Sequence, residues 1–293
     1  MNIDLIFLQG LVMGARVTEK RVAKPANLIL LRPQIRGELA RVAHPSEWRL
    51  SWGLAIARIA EIAGLLKGGP ERLLLTGGGF ITTYLPPNRI VDLSLLSEIV
   101  DRHIPALNQA RAHLDVCIGL DLLNEQGSPV VQGIVFAGAS GSTNVWKTLP
   151  VGIEANYIAT FDDKIVPQIQ RYVATSVGTA GLMVCHDLQM ANHRTQSLVR
   201  PNTMRGRVIA AMKKQLASEM PELILNAVHW IKGPDNTRTF RTSLRQIVND
   251  TPSVQRAAAS FGYDPDMRTI HEVRDAFNKL TFPDFATTDL MFK

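Results

Sequence analysis

The sequence predicts a layered α/β fold with a mixed sheet, on three observations. Short apolar runs rich in leucine, isoleucine and valine alternate with longer segments of helical period. Two such runs in the middle of the chain are separated by a short turn, as in a hairpin. No Pro- or Ser-rich linker and no repeat of fixed period divides the 293 residues, so a single domain over 1–293 is expected.

Taken in order, Ile3 to Leu8 reads as a strand. Trp52 to Leu66 reads as a helix, because Ile56, Ile59, Ala60, Ala63 and Leu66 share one face while Arg58 and Glu61 lie off it. Gly68-Gly69-Pro70 stops that helix, since neither residue type continues it cheaply. Arg72 to Leu75 is a strand that runs into Thr76-Gly77-Gly78-Gly79. The stripe Leu93, Leu96, Val100, Ile104, Leu107 predicts a helix over Leu93 to Ala110, with Pro105 as its weak point. Leu114 to Leu120 is a continuous apolar run of buried-strand type, and Gln126-Gly127-Ser128-Pro129 turns the chain into a further strand, Val130 to Phe136. Further on come a strand at Gly181 to Val184, a helix at Arg205 to Ala217, a strand at Leu223 to Val228 and a helix near Phe240 to Val248. A last helix is expected around His271 to Leu280.

Composition narrows the function classes. An apolar fraction of 46% and a charged fraction of 20% are those of a globular protein with a sizeable core. No apolar run reaches the ~18 residues a bilayer span needs, and Met1-Asn-Ile-Asp carries an acid where a signal peptide carries positive charge. A cytoplasmic protein without membrane contact is the expectation. Cys117 and Cys185 are too few for a disulfide scaffold and read as free thiols in a reducing compartment. The formal charge of +6 is spread along the chain, with only short clusters such as Lys20-Arg21 and Lys213-Lys214. It reads as a solubility feature ahead of a nucleic-acid surface.

Cys185 closes the run Leu182-Met183-Val184 and precedes His186-Asp187. A strand ending this way presents a thiol at its carboxyl edge, where ligands collect in α/β sheets. Taken alone, a buried core cysteine is the commoner explanation, and Cys117 has only that one. The segment Asn144-Val-Trp-Lys147-Thr-Leu-Pro150-Val-Gly-Ile-Glu154 places a lysine just after a strand pair and a carboxylate seven residues later. On their own these two read equally as an exposed surface ion pair.

The ordered series resembles the nitrilase (carbon–nitrogen hydrolase) superfamily. Its members show a strand pair with a turn, a lysine followed by Leu-Pro and a glutamate, then a glycine-containing strand ending in Cys-x-Asp. Val116-Cys-Ile-Gly-Leu-Asp121, Gln132-Gly-Ile-Val-Phe136, Gly141-Ser142 and Leu223-Ile-Leu-Asn-Ala-Val-His-Trp230 are similar to neighbouring family segments in the same order. The resemblance covers roughly 50–250. It implies a four-layer α-β-β-α sandwich with mixed sheets, in which the helices Trp52–Leu66 and Leu93–Ala110 cover an outer face. It also implies a homodimer or larger homo-oligomer, a small-molecule substrate, and no cofactor or metal. By resemblance Cys185 would attack to form a thioester. Lys147 and the backbone N–H of His186 would hold the oxyanion, and Glu154 would orient Lys147 or the water.

The chain departs from the family where the general base belongs. A Pro-Glu-aromatic run is usual after the first long helix and strand, and here it reads Gly78-Gly79-Phe80. Glycine moves no proton, and losing a general base typically costs ~10²–10⁴ in rate. Asp121 or Asp187 could substitute; alternatively the chain kept a binding pocket without hydrolysis, or kept only the fold. Met190-Ala191-Asn192 replaces the family's Phe-Pro-Glu, residues 14–47 exceed the usual N-terminal connection, 193–220 add a helical segment, and 251–293 match poorly. Among competing motifs, Thr76-Gly-Gly-Gly-Phe80 lacks the Lys-Ser/Thr of a phosphate loop, and Gly138-Ala-Ser-Gly-Ser142 reads as a turn. His186, His193 and His229 show no metal-ligand spacing, and Asn192-His193-Arg194 reads as a solvated helix start.

Overall fold

The computed structural model describes residues 17–20, 28–33, 50–65, 72–86, 91–151, 154, 163–192, 199–230, 233–262, 281–282 and 287–292. The expected strand at Ile3 to Leu8, the helix at His271 to Leu280, the stop at Gly68-Gly69-Pro70 and the segment His193-Arg194 lie outside them. The strands are β1 Val17–Lys20, β2 Leu28–Pro33, β3 Arg72–Thr76, β4 Ile81–Tyr84, β5 Leu114–Leu123, β6 Pro129–Gly138, β7 Gly141–Trp146, β8 Tyr172–Thr175, β9 Gly178–Val184, β10 Leu223–Trp230, β11 Arg256–Gly262, β12 Thr281–Phe282 and β13 Thr287–Phe292. The helices are α1 Trp52–Leu65, α2 Leu93–Asp101, α3 Ile104–Arg111, α4 Met204–Glu219 and α5 Gly233–Asp250.

Among the described residues the strands form two mixed sheets. The eight-stranded sheet runs β1-β13-β2-β3-β5-β6-β7, with β4 also paired to β5; the five-stranded sheet runs β12-β11-β10-β9-β8. In the first, β13, β2, β3 and β5 are mutually parallel and the β5-β6-β7 meander is antiparallel. In the second, β9, β10 and β11 are parallel and the outer strands β8 and β12 antiparallel.

The period-2 alternation of the strands sorts their side chains into two cores. Leu74, Val116, Ile118, Val135 and Ala137 pack with Ile59 and Ile62 of α1, with Leu96 and Val100 of α2 and with Leu107 of α3. Their neighbours Leu73, Leu75, Cys117, Ile134 and Phe136 face the other way, into a core shared with Ala180, Leu182 and Leu225 of the second sheet. That core continues to Val208 and Met212 of α4 and Phe240 and Leu244 of α5. Helices, sheet, sheet and helices follow one another: the expected α-β-β-α sandwich.

The expected helix over Leu93 to Ala110 is two helices. Asp92 caps the first, its Oδ1 accepting the Leu95 N–H at 2.8 Å. The chain breaks at Arg102-His103, because Pro105 lacks the N–H an uninterrupted helix would need and fits only the opening turn of α3. Two segments set aside as departures also build sheet. β1 and β2 come from the long N-terminal stretch, and β13 from the C-terminal tail lies between them. Such a strand takes its place by pairing with residues more than 250 positions away, which no local pattern encodes.

Candidate active site

Strand register assembles a row of polar side chains between the sheets. In β5 the inward phase that carries Cys117 reaches Asp121, and in β6 the phase of Ile134 and Phe136 reaches Gln132. Asp121 and Gln132 are direct cross-strand partners. Lys147, one step past β7, donates its backbone N–H to the Gln132 carbonyl at 2.9 Å and so continues the row. In the opposing sheet Val184 is level with Ala227, so Cys185 and His229 lie one and two residues further on, at the carboxyl ends of adjacent parallel strands.

The side chains join across this space. Lys147 Nζ lies 2.8 Å from Glu154 Oε1, 2.7 Å from Glu154 Oε2 and 3.1 Å from Gln132 Oε1. Glu154 is held in turn by the Val151 N–H at 2.9 Å. Lys147 and Glu154 are both buried, so the surface-pair reading does not apply. An ammonium only donates, so the Gln132 oxygen faces Lys147 and its Nε2 faces His229 Nδ1, at 3.3 Å. The other ring nitrogen, Nε2, is 2.5 Å from Asp121 Oδ2. Glu154, Lys147, Gln132, His229 and Asp121 thus form one buried chain of contacts.

Cys185 begins a short 3₁₀ turn directly after β9 and takes φ +45°. That left-handed conformation is strained for a residue with a Cβ, and it turns the thiol off the strand line. Asn226 Nδ2 donates to the Cys185 carbonyl at 3.1 Å and fixes the turn from β10. The His229 backbone N–H donates to the sulfur, and the His186 Nδ1 stands 3.2 Å from it. Burial pushes the Cys185 thiol above its ordinary range; the Lys147 ammonium and the His229 N–H pull it down, and the Glu154 and Asp187 carboxylates push it up. At neutral pH the sulfur therefore rests as a thiol. The His186 imidazole is pushed down to about 4, first by burial and then by the charges of Lys147 and Arg205. Cys117, buried in the core and pushed up by burial, has none of these partners.

The two candidate substitute carboxylates are placed differently. Asp187 Oδ1 accepts the N–H groups of Thr148 and Leu149, each at 2.8 Å. Its Oδ2 faces Arg171 Nη1 at 3.5 Å and the Val184 N–H at 3.4 Å. Arg171 also donates to Thr148 Oγ1, so Asp187 and Arg171 clamp the turn after Lys147 onto the end of β9. Asp121 instead meets His229, and among the described residues its carboxylate takes no aligned hydrogen bond.

The glycine stretch packs against β10 and Asp121. The Gly78 N–H donates to the Val228 carbonyl at 2.8 Å, tying this loop to β10. A Cβ on Gly78 would lie 2.7 Å from the His229 backbone. Gly79 has φ +71°, and a Cβ there would lie 2.6 Å from Asp121 Oδ2. Asp121 therefore occupies the space into which a side chain at 79 would grow.

Sequence reasoning named Cys185, Lys147, Glu154 and Asp121, which this row contains, but passed over Gln132 and His229. The available signal was phase. Gln132 is polar on an inward-facing strand position, and His229 follows the apolar run Leu223–Val228 on the same phase as Leu225 and Ala227. Asn192, taken as part of a solvated segment, is buried at the end of the 3₁₀ turn. Among the described residues no group of His, Cys, Asp and Glu is arranged to hold a metal ion. Nor is any described helix long and apolar enough to cross a membrane.

No family model and no curated protein matches the chain. Among solved structures it is similar to an amidase from Nesterenkonia sp., at 16% identity and TM-score 0.43 over 82% of this chain and 78% of that one. A carbon–nitrogen hydrolase from Helicobacter pylori G27 is similar at 10% identity and TM-score 0.39, over 85% and 75%. A glutamine-dependent NAD+ synthetase from Acinetobacter baumannii is similar at 12% identity and TM-score 0.44 over 73% of this chain, which spans only 36% of that protein's length. At this distance function has to be read from the residues.

Proposed function

We propose that the protein is a thiol hydrolase of the carbon–nitrogen class, acting on a small amide, nitrile or ureido compound. Cys185 is the nucleophile, Lys147 and the His186 N–H hold the oxyanion, and Glu154 keeps the lysine aimed. The observation that carries the reading is the Cys185 turn: a strained φ of +45° at a strand end, a backbone N–H on the sulfur, and a buried lysine acting on it. Strain held in place by Asn226 at a potential nucleophile is what an active site stores. Loss of Lys147 would remove the positive charge that the tetrahedral intermediate needs. The test is turnover of a panel of small amides, nitriles and N-carbamoyl compounds by the wild type and by Cys185→Ala. Turnover that needs Cys185 supports the proposal, and equal rates in the two proteins overturn it.

A second reading has one observation in its favour. Cys185 is only 3% exposed and its thiol is pushed up, as in a core cysteine. On that reading the chain is a silent binding or scaffold protein that kept the fold, and the panel gives no turnover at all. Under either reading we place the protein in a reducing, cytoplasmic setting as one domain, working as a homodimer or larger symmetric assembly.

A further inference from the structure

We infer that Asp121 and His229 together are the acid–base pair of this site, supplying from β5 and β10 the proton acceptor that Gly79 cannot. The inference rests on the thiol-hydrolase reading and adds to it the group that moves the proton. Three independent observations converge on it. The Asp121 carboxylate is buried in the space a side chain at 79 would enter, 2.6 Å from where its Cβ would be. The His229 ring has Asp121 Oδ2 at 2.5 Å on Nε2 and the Gln132 Nε2 at 3.3 Å on Nδ1. The same histidine's amide touches the Cys185 sulfur.

The hydrogen-bond directions fix the tautomer. Lys147 claims the Gln132 oxygen, so Gln132 presents an N–H to Nδ1, which must offer its lone pair; the ring proton is then on Nε2, the nitrogen 2.5 Å from Asp121 Oδ2. An imidazole with a lone pair on one nitrogen and a carboxylate beside the other is the arrangement that takes a proton and holds it. The contact to Gln132 is long and can yield to the thiol. His186, although 3.2 Å from the sulfur, is opposed in taking a second proton first by its burial and then by the Lys147 and Arg205 charges. Of the two histidines, His229 is the one equipped with a counter-charge.

The steps balance without any further reagent. The Cys185 S–H proton passes to His229 Nδ1 as the sulfur adds to the substrate carbonyl carbon. The C–N bond then breaks, and the leaving nitrogen takes that proton. Water next adds to the thioester, giving a proton to Nδ1. The C–S bond breaks, and the proton returns to the sulfur. One amide and one water become one acid and one amine.

The test uses the full-length protein and p-nitrophenyl acetate as acylating probe, with the acylated residue located by peptide mass. His229→Gln and Asp121→Asn are expected to slow acylation of Cys185 by roughly 10²–10⁴, the range for a lost general base. Added imidazole should restore part of the rate in His229→Ala and none in Asp121→Asn, an outcome that a merely structural role for the ring does not give. Unfolded variants are recognised by circular dichroism, and Asp121→Asn, being nearly isosteric, carries the test if His229 variants do not fold. Acylation at the wild-type rate in both folded variants overturns the inference, as does loss of acylation in His186→Gln alone. Both outcomes leave the thiol-hydrolase reading standing. No acylation of Cys185 in the wild type defeats that reading and this one together.

Discussion

At the scale of single residues, the site is held by buried charges that depend on one another. Removing one partner of a buried ion pair strands the other, at about 3–5 kcal/mol. Lys147→Met should therefore lower the unfolding free energy by about that much, because Glu154 keeps its burial and loses its cation. Urea denaturation checks this, and the double variant Lys147→Met with Glu154→Gln should recover part of the loss. His186 gives a pH signature. Its folded value is about 4 against an ordinary 6.5, so between these values the unfolded chain binds a proton that the folded one refuses. Stability is then full above the ordinary value and falls as pH drops toward the folded value, by about 3 kcal/mol in total. Unfolding free energies measured at pH values on either side of this window should differ in the wild type by that margin more than in His186→Gln.

At the scale of elements, the polar row exists because adjacent strands keep register. Asp187 and Arg171 pin the turn after β7 to the end of β9, which holds Lys147 opposite Cys185. Asp187→Ala leaves the Arg171 guanidinium buried without its carboxylate and removes the acceptor of three backbone N–H groups. A loss of about 3–5 kcal/mol is expected in a denaturant titration, together with loss of activity. The glycine loop is equally constrained. A Cβ on Gly119 would lie 2.1 Å from the Gly77 carbonyl oxygen, a backbone atom, so Gly119→Ala must displace the loop that carries Gly78 and Gly79 to β10. Much of this level was legible in the sequence. The apolar runs gave β3, β5, β6, β9 and β10, and helical spacing gave α1 and α4, because burial writes itself into composition at periods of 2 and 3.6. What was not legible was which strand lies beside which. Gln132 and His229 looked unrelated because they lie 97 positions apart and meet only across the two sheets.

At the scale of the whole molecule, the two sheets face each other and the helices close both outer surfaces, so the polar row lies between layers of aliphatic side chains. That setting strengthens each electrostatic contact in it, and it also favours the protonated form of the Cys185 thiol. The terminal strands complete the larger sheet. β1 pairs with β13, and β13 covers the edge of β2. Deleting residues 281–293 should therefore uncover the β2 edge, lower the melting temperature and promote aggregation, measurable by scanning calorimetry and light scattering. These strands escaped the sequence reading because short terminal runs carry little periodicity, and their pairing is set by partners at the opposite end of the chain.

The claim on which the functional account turns is that the sulfur of Cys185, and not that of Cys117, is a nucleophile. Intact-mass analysis after brief exposure to p-nitrophenyl acetate, followed by peptide mapping, tests it directly. One acetyl group per chain, confined to Cys185 and absent from Cys185→Ala, is the predicted result. An unmodified wild-type protein, or acetylation spread over surface lysines with Cys185 untouched, would contradict it.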